Sequence, residues 1–205
     1  MQVFNNNNNN DIMGYILEFK KWKHLNEDNS YFNKEKGGKF SHLFNTALLI
    51  MDKLVTQYKY SPKLAAALCG NMFSESKLDP NRTSPTGYYG LIQWGDPRLP
   101  KLKKLPNWQT IDGQLKFIDI ELNGSYFTKT SPVKSLITTN ISVEDAADVI
   151  TNNYERTTPS AKSRAERRNG AREIYDAYIA KQAAISNATT STTPQSTDQQ
   201  STSPQ

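Results

Sequence analysis

The stretch from Leu78 to Leu99 carries Asp79-Pro80, Ser84-Pro85, Gly87, Gly90, Gly95 and Asp96-Pro97, a density of turn formers that no continuous helix can hold. On both sides of it apolar residues return at three- and four-residue intervals, the helical period. The chain must therefore fold as helices gathered around one irregular loop. Inside the loop the short apolar run Tyr88 to Trp94 predicts a small β-hairpin, so the expected class is mainly α with a minor β element, an α+β arrangement.

Local start signals place the helices. Ser41 is read as the N-cap of the first, whose stripe is Phe44, Leu48, Met51, Val55 and Tyr58. Ser61-Pro62 sets a cap with proline at the first helical position, and the Ala-rich run that follows carries this helix to about Ser76. Thr110 caps a third with Ile111, Leu115, Ile118 and Leu122 on one side, and Ser142 with Asp145 starts a fourth through Ala146, Val149, Ile150 and Tyr154. The last runs from about Ser160 to Ala180, with Ala165, Ile174, Tyr175 and Tyr178 inward and its arginines outward. Gly170 within it costs roughly 1 kcal/mol against alanine.

Hydrophobic residues make up only 36% of the 205, and the shortfall sits at the ends. Asn5 to Asn10 is an unbroken asparagine run, and Ser186 to Gln205 is dominated by Ser, Thr, Gln and Pro, so neither end can bury a core. The expected organisation is an Asn-rich tail at 1–10, a basic accessory helix and linker at 11–40, a folded domain at 41–182 and a disordered polar tail at 183–205. The start has neither the basic nor the apolar region of a secretory signal, and no apolar run approaches the ~20 residues of a membrane span, so no membrane insertion is expected. Cys69 stands alone, and His24 and His42 make no ligand spacing, so no disulfide, metal or cofactor is expected.

The net charge is +5, with Lys20, Lys21, Lys23, Lys34, Lys36 and Lys39 ahead of the folded region and Lys162, Arg164, Arg167, Arg168 and Arg172 near its end. These clusters suit a polyanionic partner, and equally a solvated helix face. The sequence shows no recognised nucleic-acid motif, so nucleic acid is not the expected partner.

Leu64, Leu68, Asn71 and Glu75 fall on one face of the second helix, and the first two turns of that face are apolar. Glu75 is thus expected to turn inward at a helix C-terminus, where desolvation and the helix dipole both favour a retained proton. A retained proton is what a general acid for glycoside cleavage requires. The loop beyond adds Tyr88, Tyr89 and Trp94 as surfaces for sugar rings, and Gln93 as an amide that donates and accepts.

The pattern Glu75-Ser76, Pro80, Ser84, Gly87 and Gly90-Leu91-Ile92-Gln93 resembles the signature of goose-type lysozymes and soluble lytic transglycosylases, with departures at Leu78, Arg82, Tyr88 and Ile92. With Trp94, Arg98, Asn153-Tyr154-Glu155-Arg156 and the Arg-rich last helix, the stretch from about Tyr58 to Ala180 looks like a phage tail-type lysozyme domain. The resemblance implies a lysozyme-like fold, Glu75 as the acid, Gln93 beside the scissile bond and Tyr154 as a cleft wall. Tyr154 also fits a core aromatic, and Trp94 fits either a sugar platform or hairpin packing. Tyr89, with Trp94, is expected to contact substrate.

The expected activity is a muramidase acting on the β-1,4 bond between N-acetylmuramic acid and N-acetylglucosamine of bacterial peptidoglycan. Its rivals are a lytic transglycosylase and a catalytically silent structural or wall-binding virion protein. A hydrolase benefits from a second carboxylate. Asp79, Asp96 and Asp112 are the candidates, Asp96 foremost, although Asp-Pro pairs are also ordinary turn starters. The expected setting is a phage virion, alongside other virion proteins, or the host cytoplasm before release.

Overall fold

The computed structural model describes residues 41–124, 133–136 and 140–190. The expected accessory helix with its lysine cluster, the Asn-rich tail and the chain beyond 190 lie outside the described residues. A 3-10 turn at Ser41–Leu43 leads into α1 (Phe44–Thr56). Then follow α2 (Pro62–Ser76), a short α3 (Leu99–Leu102), α4 (Ile111–Asn123), a short α5 (Val133–Leu136), α6 (Val143–Val149) and α7 (Ala161–Thr190). A π-helical turn at Ile150–Glu155 continues α6 directly.

Three of the expected caps form, while Ser41 does not cap α1: it lies in the 3-10 turn, and α1 begins after Leu43 with no side-chain cap. The side chains of Ser61, Thr110 and Ser142 accept from the amides of Leu64, Gly113 and Asp145, satisfying donors that a helix start leaves over. α1 buries Ala47, Ile50, Met51 and Leu54, while Phe44, Leu48 and Val55 only flank the core. The buried stripe is therefore rotated from the expected one, and exposed Leu49 shows that side-chain size did not set the face.

α2 is not amphipathic. Leu64 through Phe73 are all buried, because α1, α6 and α7 pack around this helix. Small residues permit that. At Gly70 a Cβ would stand 2.4 Å from the Arg167 carbonyl oxygen and 2.7 Å from the Ala171 backbone nitrogen, so the backbones of α2 and α7 touch where no larger side chain fits. Gly170 faces the same crossing, where its Cβ would lie 3.3 Å from Phe73. What looks like a helix-weakening residue in sequence lies at a tight helix crossing here, where a larger side chain would press on the Phe73 ring.

α7 departs from expectation in three ways. It runs to Thr190, past the expected helix end near Ala180, since after Gly170 no proline or glycine interrupts the chain before Pro194. Ala165 is exposed, and Arg167 is buried at 4% exposure. The other arginines do not simply face solvent: Arg164 and Arg168 pair with Asp148, Arg168 also reaches Asp145, and Arg172 pairs with Glu144. The C-terminal basic cluster is thus largely neutralised within the fold by acids of α6, which reduces its reach toward a polyanion.

The β element reduces to two isolated antiparallel bridges, Thr83 with Tyr89 and Tyr89 with Trp94. No hairpin ladder forms among the described residues. The turn formers on either side leave Tyr89 room for one paired residue per flank, and positive φ at Gly87 and Gly90 turns the chain between them.

Gly70→Ala should destabilise the fold by about 3 kcal/mol or more, since the added methyl meets backbone that cannot rotate away. Urea unfolding followed by circular dichroism measures it, and a loss under about 1 kcal/mol would contradict the backbone contact.

Candidate functional site

Glu75 occupies the last turn of α2, with 22% of its side chain exposed, and Arg167 of α7 donates to its Oε1 at 2.5 Å. The other terminal nitrogen of Arg167 donates to Asn71 Oδ1 at 2.8 Å. One guanidinium thus forks across two residues four apart on α2, a geometry that its planar donors fit. Asn71 is fully engaged: its amide donates to the carbonyls of Ala67 and Ala147, and its oxygen also accepts from Thr151. The inward face foreseen for Glu75 is therefore a charged and hydrogen-bonded one. The surrounding burial of α2 is general, and what exposes Glu75 is its place in the final turn.

The loop is tied to this helix by buried polar bonds. Ser76 Oγ donates to the Leu91 carbonyl at 2.9 Å. Buried Gln114 of α4 accepts from the Leu91 amide at 2.8 Å and donates to the Pro80 carbonyl at 2.6 Å. Gly90, at φ 82°, lies against that pinned amide, where a Cβ would come within 2.7 Å of Oε1. Gln93 uses its amide nitrogen on the carbonyls of Arg82 and Gly90, so it offers a ligand its carbonyl oxygen.

A cleft of about 540 Å³ opens between Glu75, the loop and the end of the π turn, within the range of ligand sites. Arg82, Thr83, Ser84, Tyr88, Gln93 and Glu155 are among its walls. Of the foreseen residues, Glu75 and Gln93 come together here. Tyr88, 48% exposed, is the aromatic on the rim. Its neighbour Tyr89 instead packs on Trp108 with ring centroids 4.9 Å apart and donates to Asn81.

Asp96 lies on a second hollow of about 410 Å³ across Tyr88, and it does not line the Glu75 cleft. Asp79 holds a turn, accepting from the Asn81 amide. Asp112 is paired with Lys53.

Trp94 and Tyr154 are wholly buried, which removes both from the cleft surface. Their polar tips meet at Glu121 of α4: Trp94 Nε1 donates at 3.1 Å and the Tyr154 hydroxyl at 2.7 Å. Arg98 donates to the same carboxylate through Nε and a terminal nitrogen, each at 2.7 Å. Four donors on one buried carboxylate make it a structural anchor joining loop, α4 and π turn. Burial, then the Glu121 charge, pushes the Tyr154 hydroxyl far up, so it stays protonated.

The residue that sequence reasoning passed over as a site is Glu155. It lines the cleft with Glu75, yet its Oε1 is closed off from solvent without a hydrogen-bond partner. Burial first, and the Glu75 charge second, push its carboxyl from the usual 4.5 up to about 8, with Arg98 and Arg167 offsetting part of that rise. Its signal in sequence was its place in the Asn153-Tyr154-Glu155-Arg156 run that carries part of the resemblance, directly after the aromatic Tyr154. Cys69 is buried and its thiol is pushed up, which leaves it inert. Among the described residues no cluster of His, Cys, Asp and Glu is placed to hold a metal.

A buried helix ending on a carboxylate beside a polar, aromatic-rimmed cleft fits the lysozyme-like class of glycan-cleaving domains. Residues 45–178 match phage tail lysozyme, and the chain belongs to that family. Membership implies a peptidoglycan-lytic role, with peptidoglycan as substrate and a phage tail as the setting. No curated protein and no solved structure matches the chain. No described helix is long and apolar enough to cross a membrane.

Because the Glu155 carboxyl binds its proton more tightly folded than unfolded, its contribution to stability is present below pH 4.5 and is lost as pH rises through about 8. Thermal melts between pH 5.5 and 8.5 should show wild-type stability falling faster with pH than that of Glu155→Gln. Parallel slopes would contradict a raised carboxyl at this position.

Proposed function

We propose that the chain is a muramidase that hydrolyses the β-1,4 bond between N-acetylmuramic acid and N-acetylglucosamine, with Glu75 as general acid. The observation that supports it most is the placement of Glu75: it lines the cleft with 22% of its side chain exposed, at the end of a helix packed by α1, α6 and α7, so its position relative to a bound glycan is held. Tyr88 offers a ring for the apolar face of a sugar, and Gln93 a carbonyl for its N–H or hydroxyl groups. As the C1–O4 bond breaks, Glu75 protonates the departing oxygen and water adds at C1. The cleft carries the hydroxyls of Thr83, Ser84, Thr86 and Thr157, a lining that admits that water. The enzyme acts from the virion tail, opening the wall during entry.

Glu75→Gln should lower the clearing of purified peptidoglycan by ~10²- to 10⁴-fold while the fold is kept. Retained clearing would refute the assignment. Mass spectrometry of the products distinguishes the reactions: muramic acid with a reducing end is expected, and a 1,6-anhydro end would instead mark a lytic transglycosylase. A folded wild-type chain that binds walls without releasing fragments would show a silent virion component.

A further inference from the structure

Glu75 and Glu155 line the cleft together with Arg82 and Arg156, and Glu121, Arg98 and Arg167 stand behind it, close enough to act on Glu155. Glu121 takes two nitrogens of Arg98, and Glu75 takes one of Arg167, whose other terminal nitrogen goes to Asn71. Glu155 receives neither at Oε1, although both arginines and both other carboxylates are close enough to act on it through space. Among the charges that act on Glu155, Glu75 and Glu121 are offset by Arg98 and Arg167, so an ionised Glu155 adds one negative charge that these two cations do not balance, with its Oε1 closed to solvent. Burying an unpaired charge is costly, and the cheapest remedy is one proton on the carboxyl that has no cation of its own.

We propose that Glu75 and Glu155 carry one proton between them, and that Glu155 is its resting holder, supplying it through Glu75 to the glycosidic oxygen. This rests on the muramidase reading above and names the partner that reading lacks. In the resting cleft Glu75 is the anion held by Arg167. When a glycan covers the cleft, the proton passes from Glu155 to Glu75 and on to O4, whose bond to C1 breaks with the electron pair leaving on oxygen. Water from solvent adds to C1, and the proton it releases returns to the pair. One water is consumed, one bond is cleaved, and the pair ends with the proton it began with. Glu155 touches no substrate in this scheme: it is a positioning residue for the proton, and its charge state is what Glu75, Glu121, Arg98 and Arg167 together set.

The test uses the full chain with carbon-13 at the glutamate carboxyls. Titration by NMR should show one carboxyl changing charge near pH 8; its signal should be missing from Glu155→Gln, and its transition should move to lower pH in Glu75→Gln, where the neighbouring charge is gone. If every glutamate titrates in the ordinary carboxylate range, the shared proton is refuted. On peptidoglycan fragments, Glu155→Gln should cut kcat at pH 7 by ~10-fold or more with KM changed less than ~2-fold, and should move the alkaline limb of the pH profile at least ~1 unit lower. An unmoved limb refutes the proposal even where kcat falls, because a loosened site would lower the rate without shifting the titration. Glutamine keeps the shape and removes only a buried acid, and a near-native melt of Glu155→Gln below pH 6 confirms that the fold is intact. Should the wild type cut no wall at any pH, the muramidase reading fails alone, and the carboxyl titration still decides for or against the pair.

Discussion

The crossing of α2 and α7 at Gly70 determines where everything in the cleft can stand. With the Arg167 carbonyl and the Ala171 nitrogen both under 3 Å from the place of a Cβ, the two helices are as close as backbones allow. At that distance the Arg167 side chain, buried at 4% exposure, runs beside α2. Its guanidinium then reaches Asn71 and Glu75, one turn apart, with two separate nitrogens. A lysine has a single point of charge and could not span both. A backbone contact without polar character of its own thereby sets the partner of the cleft carboxylate.

Two glutamates within reach of each other's charge, Glu121 buried and Glu155 with one oxygen closed off, are treated in opposite ways. Glu121 accepts four hydrogen bonds from Trp94, Arg98 and Tyr154, while Glu155 leaves Oε1 with none. The same low local dielectric strengthens the first set and raises the cost of the second. A buried carboxyl oxygen without a partner is rare enough in a native fold to need a reason, and a cleft that handles protons supplies one.

What was legible in the sequence was what local chemistry decides. Ser61, Thr110 and Ser142 are caps because their side chains answer donors three residues away. The loop is irregular because its prolines and glycines forbid anything else, and Glu75 and Gln93 stand out because the loop brings them together over a short span. The remainder depends on partners distant in the chain. Periodicity assigns a face only to a helix with one dry side, so it could not describe α2. It also sent Arg167 outward, since arginine is ordinarily a surface residue and its inward path depends on a helix more than ninety positions away. The aromatics stayed open between core and cleft for a related reason. Trp94 and Tyr154 each have a polar tip that can be satisfied in a core, and sequence does not reveal that Glu121 waits there. Tyr88 and Tyr89 are adjacent, so their backbone sends them to different sides, and only structure says which one faces the cleft.

Trp94 and Tyr154 nonetheless bear on the chemistry, by a route that contact with sugar would not have suggested. Arg98 is close enough to Glu155 to lower its proton affinity, so a rotation toward it would neutralise the unpaired carboxyl and abolish its hold on a proton. Two bonds at 2.7 Å keep Arg98 on Glu121. Those bonds are only as fixed as Glu121 itself, which Trp94 and Tyr154 grip from their own sides while the Tyr154 ring lies 4.8 Å under the guanidinium. Each aromatic therefore removes a direction in which the Arg98–Glu121 pair could shift. Trp94 and Tyr154, in the core position that was one of the two readings of each, thus hold the neighbouring cation on Glu121, and Glu155 Oε1 keeps no hydrogen-bond partner.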